Sequence, residues 1–194
     1  MARDRAARPE ARPLRLFVAV EVPEDATRAV ATAVEPWRLS SPQARWVPAK
    51  NWHVTLKFLG NTLPRLVGWV EETVAAVASS HPPTNARVHG LGAFPSPGRA
   101  RVLWAGIDEP AGVLVSIAAG LEAALGAEFP TETRPFHPHL TVARSDPPLR
   151  LPEAYAVTPI VSEPFPIDRL VLYRSHLQRP APRYEPLGRF PFGP

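Results

Sequence analysis

Residues 51–60, NWHVTLKFLG, and residues 137–144, HPHLTVAR, carry the same figure: histidine, apolar residue, threonine, apolar residue. The two copies stand 86 positions apart. Both sit in β-forming runs, where residues i and i+2 point the same way, about 7 Å apart along the chain. His53 and Thr55 are therefore expected on one face, with Val54, Leu56 and Phe58 packed into the core. His139 and Thr141 repeat the arrangement against Leu140 and Val142. A strand with one polar face is common; two copies of this one point to two related lobes with approximate two-fold symmetry.

The rest of the chain supplies elements to either side. LRLFVAVEV (14–22), bounded by Pro13 and Pro23, reads as a buried strand. Apolar residues at helical spacing predict helices over about 24–38, from Pro64 to about 80, and over about 111–126. Two strands, about 85–94 and 101–107, are joined by the turn PSPGRA. After a proline-rich stretch (146–166) come IDRLVLYRS (167–175) and a last strand in YEPLGRF (184–190). The fold class expected is α+β: two pseudo-symmetric lobes with antiparallel sheets around a central cleft, and helices outside. Of the 26 prolines, Pro138 alone is expected to fall in a core strand, at its start.

Composition removes several function classes. With no cysteine there is no disulfide, no Cys-based zinc site and no thiol catalysis. No apolar run approaches the roughly 20 residues that span a bilayer. MARDRAARPEARP has arginines but no apolar segment, so residues 1–13 read as a disordered tail rather than a signal, ahead of a single domain over 14–194. The reading is a cytoplasmic monomer. A net charge of +4 favours an anionic partner without naming it.

Two histidines and two threonines facing one space suit one kind of ligand. A histidine pair can hold one neutral and one protonated ring near pH 7, and so act as base and acid on opposite sides of a reacting centre. Threonine hydroxyls can donate hydrogen bonds to oxygens that gain charge. An in-line displacement at phosphorus fits that geometry and needs neither metal nor cofactor.

At this point the sequence resembles the 2H phosphoesterases, named for two His-x-Thr/Ser-hydrophobic motifs. It is most similar to their RNA 2′,3′-cyclic phosphodiesterase branch, also called 2′-5′ RNA ligases. The landmarks, in order, are RLFVAVEVP, RWVPAKNWHVTLKFLG, GAFPSPGRARVLWAGI, RPFHPHLTVAR and LYRSHLQRPAPRYEPL. The resemblance implies opening of a 2′,3′-cyclic phosphate on an RNA end to a 2′-phosphomonoester. It gives His53 as proton donor to the leaving oxygen, His139 as acceptor from water, and Thr55 and Thr141 as phosphate ligands. Joining of 2′-5′ ends, or action on small cyclic nucleotides, is the alternative for the same site. An RNA-end binding module with negligible turnover is the alternative of another class. Val142 stands where leucine is commoner, and HLQRPAPRY lacks a glycine often found there.

Other residues are weaker candidates. Lys57 follows Thr55 on what the alternation makes the same face; Arg101 and Arg144 could meet an RNA backbone; His137 could line the cleft or cap the strand entry. His137 and His139 could also form a metal pair, though no third ligand stands at an obvious spacing. Trp46, Phe94, Trp104 and Phe136 are candidates for stacking on a base, with core packing as the competing role and Trp104 as the most core-like of the four.

Overall fold

A computed structural model of the chain describes residues 12–160 and 162–194. The predicted tail, except residues 12 and 13, lies outside the described residues. The elements in chain order are β1 (Leu14–Glu21), α1 (Glu24–Ser40), β2 (Arg45–Trp46), β3 (His53–Thr62), α2 (Val67–Ser79), β4 (Thr84–Phe94), β5 (Ala100–Asp108), α3 (Val113–Leu125), β6 (His139–Leu149), α4 (Glu153–Ala156), β7 (Phe165–Ile167), β8 (Arg169–His176) and β9 (Arg183–Pro191).

The strands run in the order β7-β4-β5-β6-β3-β1-β8-β9, with β2 also pairing to β6. Every pairing is antiparallel. This divides into two four-stranded halves, β3-β1-β8-β9 and β7-β4-β5-β6, so the expected pair of related lobes is present. The halves meet through the two motif strands themselves, at a single ladder pair, Val54 opposite Leu140. The remainder of that edge of β6 is taken by β2, with Trp46 opposite Ala143.

Helices cover one face. Val30 and Val34 of α1, Val70 and Val74 of α2, and Leu114, Ile117, Leu121 and Leu125 of α3 join Val54, Leu56, Leu140 and Val142 in one continuous core. Burying a side chain of this size contributes about 1.5–3 kcal/mol. Phe17, Ala19 and Val171 are also buried but lie outside that cluster, on the opposite, cleft-side face.

The motif strands depart from simple alternation at one corresponding place. Val18 is opposite Lys57 and Ala19 opposite Thr55, so Leu56 has no partner on β1. Leu103 is opposite Ala143 and Trp104 opposite Thr141, so Val142 has none on β5. Each is a β-bulge, which inserts one residue and shifts the phase of everything beyond it. The exposure patterns of β3 and β6 are identical over their first seven residues as a result. Two expectations fail for this reason. Phe58 is 58% exposed rather than core, and Lys57 is 2% exposed, turned to the core side away from Thr55.

The prolines also fall differently. Pro138 precedes β6, whereas Pro147 and Pro148 lie inside it, Pro166 inside β7, and Pro186 and Pro191 inside β9. β7 and β9 are the outer strands, where a missing N–H donor is tolerated. Pro147 and Pro148 sit where β6 has left register with β5, between the pairs Val102–Arg144 and Ala100–Leu149.

Gly106, opposite His139 on β5, tests how closely this half is packed. A Cβ there would lie 2.5 Å from the His89 carbonyl oxygen, which is backbone and cannot swing away. Gly106→Ala is expected to cost about 1–3 kcal/mol, read as a lower denaturant midpoint at unchanged slope.

Candidate active site

The bulges and the Val54–Leu140 pair fix the arrangement of the four motif side chains. With those two residues opposite each other in antiparallel strands, His53 neighbours Thr141 and Thr55 neighbours His139. The two histidines lie on a diagonal, roughly 7–8 Å between Cα atoms, and the two threonines on the other. All four are half-buried on the cleft face, while Val54 and Leu140 behind them are fully buried.

Each histidine is oriented the same way. His53 Nδ1 lies 2.8 Å from the Asn51 carbonyl oxygen, and His139 Nδ1 lies 2.7 Å from that of His137. A carbonyl only accepts, so Nδ1–H donates in both rings and Nε2 is left to take or give a proton. Asn51 is itself held by its Nδ2 donating to the Pro182 carbonyl at 2.7 Å, which ties the β8–β9 loop to the turn before His53. That contact fixes the rim formed by the glycine-free loop.

The surroundings are aromatic on both sides. Phe17 stacks on His53 with ring centres 4.8 Å apart, and Tyr184 meets His53 edge-on at 5.1 Å. Tyr173 stacks behind Phe17, and its hydroxyl donates to Glu21, which also receives Arg189. Beside His139, Phe94 sits edge-on at 5.2 Å and Trp104 at 6.3 Å. Trp104 can lie there because Gly92 has no side chain: a Cβ would fall 2.1 Å from the indole ring. One cavity opens at each histidine. The first is bordered by Lys50, Trp52, His53, Tyr173, Tyr184 and Arg189, and the second by His89, Phe94, Trp104, Asp108, His137 and His139.

Both rings resist protonation. His53 is lowered to about 4, first by burial, then by the Arg144 and His139 charges, with the Asn51 hydrogen bond opposing. His139 is lowered for the same reasons: burial, then Arg144 and His137, against the hydrogen bond to its backbone partner. Both therefore favour the neutral ring more than an ordinary histidine does. An anionic phosphate would reverse the Coulomb contribution and favour imidazolium.

The weaker candidates separate clearly. Arg144 faces the cleft, where its charge acts on His53, His139 and Tyr184. His137 lines the second cavity and supplies the carbonyl that orients His139. Lys57 is on the other face, its Nζ 2.6 Å from Glu122 Oε2. Arg101 pairs with Asp146 and stands five residues along β5 from Gly106, roughly 16 Å from the residue opposite His139. Phe136 and Trp46 pack against the core; Phe94 and Trp104 face the site instead. Trp104 thus departs from its core-like reading. Among the described residues, no three His, Asp or Glu side chains gather as a metal would need. No helix among them is long and apolar enough to cross a membrane.

Sequence reasoning missed Phe17, Tyr173, Tyr184 and the Glu21–Arg189 pair. Phe17 was hidden in a run apolar on both faces; the others carry no spacing signal of their own.

Comparison with known proteins finds relatives over most of the chain. The family model of the 2′-5′ RNA ligase superfamily matches residues 23–179. A Geobacillus stearothermophilus protein named RNA 2′,3′-cyclic phosphodiesterase is 33% identical over 90% of this chain; the chain spans only 56% of that protein's length. One of the same name from Thermus thermophilus is 34% identical over 91% of this chain and 89% of its own. A crystal structure of a Thermus thermophilus protein superposes with a TM-score of 0.76 at 30% identity, covering 92% of this chain and 97% of that one.

The Arg144 charge provides a test of the cleft's electrostatics. Removing a neighbouring cation favours the protonated ring, so Arg144→Gln is expected to raise the titration midpoints of both His53 and His139, followed by NMR of the ring protons. Unchanged midpoints would mean that the guanidinium does not share the cleft with them.

Proposed function

The chain belongs to the 2′-5′ RNA ligase superfamily, and on that footing we propose that it hydrolyses RNA 2′,3′-cyclic phosphate ends to 2′-phosphomonoesters. His53 donates a proton to the leaving O3′, and His139 accepts one from the attacking water. Thr55, Thr141 and Arg144 hold the non-bridging oxygens, where charge accumulates in the transition state. The observation that carries this reading is the matched pair of Nδ1–H···O=C bonds, to Asn51 and His137, which leaves two Nε2 atoms to act across one centre.

The order of events follows from the charges. The Arg144 guanidinium gives the free site a positive charge that attracts the phosphodiester anion, while burial and that same charge hold both imidazoles toward the neutral form. Once bound, the anion raises both ring affinities for a proton. The acid role falls to the ring beside the leaving oxygen. Water loses its proton to His139 as the phosphorus–oxygen bond forms; O3′ takes the proton of His53 as its bond to phosphorus breaks.

Joining of a 2′-5′ linkage is a second reading favoured by one feature. By microscopic reversibility a 5′-hydroxyl can replace water at His139, and the cavity there, about 450 Å³ and walled by Phe94 and Trp104, has far more room than one water needs.

His53→Ala and His139→Ala are each expected to lower turnover of a 2′,3′-cyclic nucleotide by about two to four decades. Wild-type turnover by His139→Ala would sink the assignment. The pH dependence is also fixed in sign. kcat/KM needs one ring neutral and one protonated, and both free-protein midpoints lie below 6.5. A bell with its maximum on the acid side of 6.5 is expected for kcat/KM, moving upward in kcat, where the bound anion has raised both rings.

A further inference from the structure

Lys57 is an expensive residue to place where it lies. Its side chain is 1% exposed on the helix side of β3, among apolar neighbours, and an ammonium there is costly unless it is paired and hydrogen-bonded. It is both. Nζ donates to Glu122 Oε2 of α3 at 2.6 Å and to the Pro130 carbonyl at 2.8 Å. Glu122 Oε2 also accepts the Glu132 backbone N–H at 3.2 Å.

The pseudo-symmetry shows that the bulge itself does not call for a lysine. Ala143 holds the corresponding position in β6 and is fully buried with no charge. The asymmetry therefore needs its own reason, and the partners supply one. Lys57 stands two residues beyond Thr55, on the strand of the first motif. Glu122 lies in the last turn of α3, and Pro130 and Glu132 belong to the segment that leaves α3 and runs into His137, Pro138 and His139. The two motif strands share only the Val54–Leu140 ladder pair, so little backbone pairing holds the histidines at a set separation.

We propose that Lys57, through Glu122 and the 130–132 backbone, is a positioning residue that clamps the approach to the second motif onto the strand of the first. It touches neither the phosphate nor a catalytic side chain, and it acts by fixing the separation of the two imidazoles across the reacting centre. This rests on the two-histidine reading above. A separation error of about 1 Å is enough to cost on the order of a hundredfold in rate.

The test compares the wild type with Lys57→Met, Lys57→Arg and the double variant Lys57→Met/Glu122→Met, measuring kcat, KM and melting temperature on a 2′,3′-cyclic nucleotide. Lys57→Met leaves Glu122 without its cation and is expected to lower both kcat and melting temperature. The double variant removes both charges and is expected to recover melting temperature while kcat stays at least about tenfold down and KM changes little. Lys57→Arg, which keeps the charge but not the compact head, is expected to regain part of kcat. A salt bridge with a merely structural role would restore kcat together with stability in the double variant, and that result overturns the proposal. If Lys57→Met does not fold, the double variant decides alone, in the same way. Turnover by the wild type with an unaffected double variant removes this proposal only; a wild type without turnover removes the two-histidine reading and this with it.

Discussion

The pairing of β3 with β6 at Val54 and Leu140 places the two imidazoles on one diagonal, and the site depends on it. Antiparallel strands that meet at the centre of two identical three-residue figures necessarily present those figures as a two-fold set. The bulges at Leu56 and Val142 then do what a regular strand could not. They let two successive residues, Leu56 with Lys57 and Val142 with Ala143, bury on the helix side, and bring Phe58 and Arg144 round to the cleft side. One short apolar anchor per strand therefore supports two polar residues before it and one cleft-facing residue after it. The cleft is built by strand geometry rather than by a long loop.

Orientation and electrostatics follow from the same strand entries. Each ring is locked by the carbonyl two residues upstream, a contact available only because the chain turns as it enters the strand: a 3-10 turn over 49–51 before His53, and the His137–Pro138 segment before His139. The hydrogen bond favours imidazolium, yet burial and Arg144 outweigh it in both rings. On the proposed mechanism, a bound phosphate would reverse the Coulomb contribution of Arg144 and so couple binding to the acid–base step. Aromatic walls around each ring strengthen the effect by excluding water from the space between.

The two motifs, the three long helices and most strand limits were legible in the sequence because they depend on local periodicity: the spacing predicts α3 over 111–126, and it spans Val113–Leu125, whereas the short α4 inside the proline-rich stretch was not. The fates of Lys57 and Phe58 were not legible. A bulge is set by the partner strand, β1 or β5, and alternation read along β3 alone carries no trace of it. Trp104 reads as core from its apolar neighbours, and only the glycine opposite it on β4, Gly92, opens the place it occupies. Tyr173 and Tyr184 reach His53 from β8 and β9, far downstream in the chain, by long-range pairing that no spacing rule records. The proline-rich stretch misled in the other direction: punctuation residues at sheet edges and beyond a register break do not end strands.

The central claim is that two histidines acting across one phosphorus expel O3′ without metal. It is tested most directly by incubating the protein with cytidine 2′,3′-cyclic phosphate in excess chelator and identifying the product by phosphorus NMR. The account requires the 2′-monophosphate, formed at a rate the chelator does not change. Accumulation of the 3′-monophosphate, or a rate abolished by the chelator, would contradict it.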